Sequence, residues 1–167
     1  MQHHILTVKG GRALLWIWIA GLALPLAVGG LAARLTMGSM ATYGALVQPP
    51  LAPPPWVFPV AWTVLYLLMG IASVLVFRAD APQADKKRAL TLYGVQLAVN
   101  FVWPLLFFRA GLYGASLVWL IFLLVLVLAT IVAFRQVSRA AAWLLVPYVL
   151  WLLFAAYLNA AVWVLNR

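Results

Sequence analysis

The chain has 167 residues, 68% of them hydrophobic and 8% charged, with a net charge of +9. A water-soluble domain carries about 25% charge, so this chain cannot cover itself with a solvated surface and belongs in a bilayer. Asp80 and Asp85 are the only acids and cysteine is absent, which removes paired-carboxylate hydrolysis, carboxylate-held calcium or magnesium, thiolate nucleophiles and Cys-ligated metal centres.

Five apolar segments reach the roughly 20 residues needed to cross a bilayer core. The first covers about 13–33, between Arg12 and Arg34, and is too long for the apolar core of a cleaved signal peptide. An extended connection follows over about 35–55. It ends in Gln48-Pro-Pro-Leu-Ala-Pro-Pro-Pro-Trp56, and so many prolines favour semi-rigid polyproline II. This connection is either a lid over one end of the bundle or a spacer. The second span covers about 56–77, and a charged loop follows at Ala79–Lys87. The third covers about 90–108, the fourth about 112–134 and the fifth about 140–165. The predicted class is therefore all-α: one membrane domain, a bundle of five transmembrane helices, over residues 1–167.

The basic residues stand between long apolar runs, which points to topology control rather than to nucleic acid. Lys9, Arg12, Arg78, Lys86, Lys87, Arg88, Arg135 and Arg139 fall on one side; Arg34, Arg109 and Arg167 fall on the other. The positive-inside rule then places the N-terminus in the cytoplasm and the C-terminus outside, in a bacterial inner membrane.

Polar side chains inside spans are costly and turn toward a cavity or another helix. In the third span Gln96, Asn100, Trp103 and Phe107 share one helical face. In the fifth, Tyr148, Trp151, Ala155 and Asn159 do so, and in the second Trp62 lies four residues before Tyr66. Each stripe alone reads as glue between helices. Together they outline an internal pocket for a flat, mostly apolar ligand with a few polar edges. Pro104, Pro147 and Pro25 free the carbonyls of Asn100, Trp143 and Gly21, which need partners in a neighbouring helix or a ligand.

On the opposite face of the third span, Thr91, Gly94 and Ala98 form a small-residue ridge. The ridge is either a homodimer seam or packing within the monomer. Gly21, Pro25 and Gly29 form a similar stripe on the first span. His3 and His4 precede the first span, so no histidine lies in a span to ligate a haem. With both acids in a loop, no metal site, redox centre or ion-coupling carboxylate is expected.

Three stretches then resemble a known family. Pro53-Pro-Pro-Trp-Val-Phe-Pro-Val-Ala-Trp-Thr-Val-Leu-Tyr66 is similar to the signature of the tryptophan-rich sensory proteins and translocator proteins, the TspO/MBR family. Gln96-Leu-Ala-Val-Asn-Phe-Val-Trp-Pro-Leu-Leu-Phe-Phe108 resembles its third-helix motif, and Val146-Pro-Tyr-Val-Leu-Trp151 with Leu158-Asn159 resembles its fifth. The resemblance implies a bundle, usually dimeric, with a pocket opening toward the first connection. It implies binding of porphyrins such as protoporphyrin IX and a link to tetrapyrrole handling and stress or light signalling. Carried onto this chain, the family's pocket positions are Tyr43, Pro53, Asn100, Trp103, Tyr148 and Ala155. Trp62 and Trp151 match the pair tied to light-dependent porphyrin breakdown. Leu51 stands where family loops often carry an aromatic residue. Ala160 and Val164 break the sterol-recognition pattern, so strong sterol binding is not expected.

Porphyrin is thus the expected ligand, with no cofactor required, the lipid bilayer and a second copy as partners, and no nucleic acid. The rival functions are photochemical porphyrin degradation through Trp62 and Trp151 and a regulatory scaffold without a converted substrate. Alternating-access transport has least support, because no inverted repeat is visible.

Overall fold

Long runs of Leu, Ala, Val and Trp without internal turn signals form helices in a bilayer, where every backbone amide needs an internal partner. The computed structural model describes residues 2–167, the stretch 2–10 as helical backbone alone, so the side chains of His3, His4 and Lys9 lie outside the described residues. Helix α1 spans Gln2–Thr36, α2 Met40–Gly44, α3 Val57–Arg78, α4 Gln83–Pro104, α5 Tyr113–Val137, α6 Arg139–Leu144 and α7 Val146–Leu165, with no strand among the described residues. Five helical stretches are long and apolar enough to cross a membrane. The expected all-α class and five spans stand; their ends move.

The first connection is shorter than the predicted 35–55. Helix α1 continues to Thr36, a 3-10 turn covers Met37–Ser39 and α2 follows to Gly44. Gly38 and Ser39 loosen the helix without ending it, and non-helical chain is confined to about 45–56. There Leu51 adopts φ 66°, a left-handed conformation uncommon for a side chain of its size. The charged loop predicted at Ala79–Lys87 is likewise mostly helix. Pro82, with φ −52° and ψ 134°, precedes α4. Apart from Asp85, which suits the first turn, Gln83 through Leu90 are good helix formers that carry too much charge to register as an apolar span.

Prolines set the irregularities. Pro104 ends α4 and the next turn is a π-helix, Leu105–Arg109, in which the Ala110 N–H reaches back to the Leu105 carbonyl at 2.9 Å. Pro147 lies in the first turn of α7, just past a break at Leu145 that divides the fifth span. Pro25 is buried inside a continuous α1.

The main packing partners are α1 with α3, α3 with α6, α5 with α6 and α7, and α4 with α5; contacts of α1 with α4 close the ring. The Gly21 stripe packs on α3. A methyl on Gly70 would stand 2.8 Å from the Gly21 carbonyl, and one on Gly29 would overlap the Tyr66 ring. These glycines let two backbones approach closely. Thr91, Gly94 and Ala98 face outward, with nothing within 4 Å of the Gly94 Cβ position.

Candidate functional site

Two layers of side chains fill the space between α1, α3, α4 and α7. The deeper layer is a hydrogen-bonded relay. The Tyr66 hydroxyl donates to Asn100 Oδ1 at 2.7 Å, Asn100 Nδ2 donates to the Tyr148 oxygen at 2.6 Å, and the Tyr148 hydroxyl donates to Gln96 Oε1 at 3.0 Å. All four residues are buried. These bonds join three helices, and Gln96 Nε2 reaches the Met69 sulfur at 4.0 Å, so the polar groups find partners inside the bundle. A second knot holds Trp103. Its Nε1 donates to Asn159 Oδ1 at 3.2 Å, Ser116 Oγ donates to the same oxygen at 3.0 Å, and Asn159 Nδ2 donates to the Tyr113 carbonyl at 2.7 Å.

The second layer is aromatic, with Trp62 at its centre. It stacks on Tyr66 at 5.5 Å between ring centroids and meets Trp103 at 6.4 Å, Tyr148 at 6.2 Å and Trp151 at 6.5 Å. Beyond Trp103, Phe107 stacks at 5.4 Å, and Tyr43 meets Phe107 and Phe108 at 5.8 and 5.3 Å. The π-helical turn after Pro104 carries both phenylalanines.

Against this wall lies a cavity of about 290 Å3. Trp62, Tyr66, Asn100 and Trp103 line it, joined by Phe58, Pro55, Pro104 and Phe108. Its other side is α1: Gly29, Ala32, Ala33 and Thr36, then Met37 and Met40. The Thr36 hydroxyl bonds back to the Ala32 carbonyl at 2.9 Å, so the polar edge presented is mainly Tyr66 and Asn100.

The structure thus brings four of the sequence-derived site residues to the cavity and sets the others behind it. Gln96 and Tyr148 are in the relay, Phe107 backs Trp103, and Ala155 is buried in α7. Tyr43 is half-buried against the phenylalanines, and Pro53 is half-buried in the connection. Trp151 is on the far side of Trp62, in an outward groove between α3 and α7 with Leu150 and Phe154, and its buried Nε1 has no acceptor among the described residues. The α1 wall did not emerge from sequence as a site. Its signal was the continuation of the Gly21–Gly29 stripe through Ala32, Ala33 and Thr36.

The connection over this end is tied down. Asn166 clamps Val47 like a paired strand, accepting from its N–H at 2.9 Å and donating to its carbonyl at 3.1 Å. The Tyr157 hydroxyl donates to the Pro50 carbonyl at 2.7 Å. Leu51 itself points outward, 80% exposed.

The profile described as "TspO/MBR family" matches residues 21–164. The chain is 37% identical over 124 residues to the tryptophan-rich protein TspO of Chlorobaculum tepidum, covering 74% of this chain and 78% of that one. It is 43% identical over 122 residues to the translocator protein of Homo sapiens, covering 72% of each. It is 38% identical over 149 residues to the tryptophan-rich protein TspO of Archaeoglobus fulgidus, covering 89% of this chain and 95% of that one.

Proposed function

The chain belongs to the TspO/MBR family, and from that premise we propose that it is a membrane receptor or carrier for protoporphyrin IX-like porphyrins, linked to tetrapyrrole handling and stress or light signalling. The cavity between α1, α3 and α4 carries this reading. Trp62 and Trp103 supply flat faces for a macrocycle, and Asn100 and Tyr66 supply one polar edge. Without a histidine in a span, a metal-free ring is the natural guest. The porphyrin is ligand, not cofactor. At about 290 Å3 the cavity falls just below the roughly 300–1,000 Å3 range of ligand sites. A whole substituted macrocycle needs the 45–56 connection or the aromatic wall to move. The proposed setting is a bacterial inner membrane with a cytoplasmic N-terminus, and the proposed assembly is a homodimer through Thr91, Gly94 and Ala98.

The test is tryptophan-fluorescence titration of detergent-purified protein with protoporphyrin IX in the dark. Saturable quenching, at least tenfold weaker in affinity for Trp103→Ala, is expected. Linear quenching, identical in both proteins, would reduce the interaction to partitioning into the micelle.

A second reading, light-driven oxidation of bound porphyrin by molecular oxygen, is favoured by one observation. Trp103, Trp62 and Trp151 form an unbroken series with centroid steps of 6.4 and 6.5 Å. Retained binding with lost light-dependent turnover in Trp62→Phe/Trp151→Phe supports this chemistry; turnover equal to that of free porphyrin in detergent removes it.

A further inference from the structure

The bundle's basic end holds a groove whose chemistry changes in order from charged to apolar. Because α4 begins at Gln83, Lys87 and Arg88 are fixed on a helix face. They line a surface groove with Thr91 and Leu92, and α5 completes it with Ala129 and Val132. Thr91 lies one helical turn, about 6 Å, beyond Lys87. Lys87, Arg88 and Thr91 are exposed. The hydroxyls of Thr36, Thr63 and Thr130 each bond back to a carbonyl four residues earlier. The Thr91 hydroxyl makes no such bond among the described residues. Asp85, in the first turn of α4, is outside the groove. With eleven Lys and Arg against two acids, the chain cannot neutralise its cations from within.

We propose that this α4–α5 groove binds one anionic glycerophospholipid. Its phosphate pairs with Lys87 and Arg88, a glycerol or ester oxygen accepts from Thr91, at the edge where the proposed dimer seam begins, and an acyl chain covers Leu92, Ala129 and Val132. The charge pattern selects the occupant. A soluble phosphate would pair with the cations and leave the apolar floor bare. A zwitterionic lipid would bring a third cation to the pair. An anionic lipid matches both ends, as basic pockets between membrane helices do.

The full-length protein in detergent is titrated with phosphatidylglycerol or with phosphatidylcholine of the same chains, and bound lipid is counted by native mass spectrometry. One phosphatidylglycerol is expected to bind with at least tenfold preference. Lys87→Gln/Arg88→Gln should abolish the preference. Ala129→Phe, which keeps the charge, should weaken binding severalfold by filling the floor. Arg78→Gln/Arg139→Gln, an equal charge loss at the same end, should leave it unchanged. Equal retention of the two lipids overturns the proposal, and so does equal loss in both charge variants. Displacement by millimolar inorganic phosphate with no effect of Ala129→Phe would assign the cations to a soluble anion instead.

Discussion

Tyr148 is the residue on which three helices agree, because its hydroxyl is acceptor for Asn100 and donor to Gln96. Tyr148→Phe leaves two buried amide groups short of a partner. We expect a loss of about 1–2 kcal/mol in a detergent unfolding titration, with porphyrin affinity changed less than threefold because Tyr148 is behind the cavity wall. Gly29 presents the opposite case. A side chain there meets the Tyr66 ring, which stacks on Trp62. Gly29→Val should push Tyr66 from Asn100 and weaken porphyrin binding tenfold or more in the fluorescence titration, while the protein still inserts and purifies as a helical bundle by circular dichroism. Residue type announced the first role and hid the second. A tyrosine with two amides inside spans reads as a polar convergence, yet Tyr148 ties the two amides together and only Asn100 also reaches the cavity. A glycine near the end of an apolar run reads as close packing, and only the fold shows that its neighbour is a cavity wall.

At the scale of elements, the connection over 45–56 bridges α2 and α3 while being tied to α7 from the far end of the sequence. The cavity is too small for a full macrocycle in this conformation, so loop release should limit entry. Asn166→Ala/Tyr157→Phe removes the ties without touching the cavity. We expect protoporphyrin association to accelerate severalfold in stopped-flow quenching; an unchanged rate would mean that entry lies elsewhere, for instance between α3 and α7. The five spans were legible because 20 apolar residues have few other uses. Their ends were not, for two physical reasons. Gln83–Arg88 combine good helix formers with an Asp85 suited to the first turn, but they carry charge, so an apolarity criterion stops short of them. Met37–Gly44 follow Thr36 as helical turns because Gly38 and Ser39 bend a helix without ending it, and the prolines that do end it come later. The amide-and-aromatic stripes were legible as faces. The side of Trp62 on which the cavity opens was not, since helical spacing gives direction within one helix but not the order of neighbours around the bundle.

At the scale of the whole molecule, charge and surface make the predictions. Eight of eleven basic residues lie toward one end by chain order, and the chain has no cysteine of its own to interfere. Single cysteines at Pro82 and at Ala52 should therefore react with an impermeant maleimide from opposite faces, Pro82→Cys from the cytoplasm and Ala52→Cys from outside. Labelling of both from one face would refute the five-span topology, and the reverse pattern would invert it. The outward stripe of Thr91, Gly94 and Ala98 is the proposed dimer seam. Gly94→Leu should shift the detergent-solubilised protein toward monomer by light scattering while it stays helical by circular dichroism, because a Cβ there meets nothing within 4 Å among the described residues.

Asn166 is also a matter of handling the protein. An affinity tag joined after Arg167 begins two residues past Asn166, whose side chain grips Val47, and is expected to load that grip. Protein purified through a C-terminal tag would then show faster ligand exchange than the same chain after tag cleavage, so apparent kinetics would depend on cloning design. Tagging at the other terminus, or removing the tag before titration, leaves the clamp unloaded.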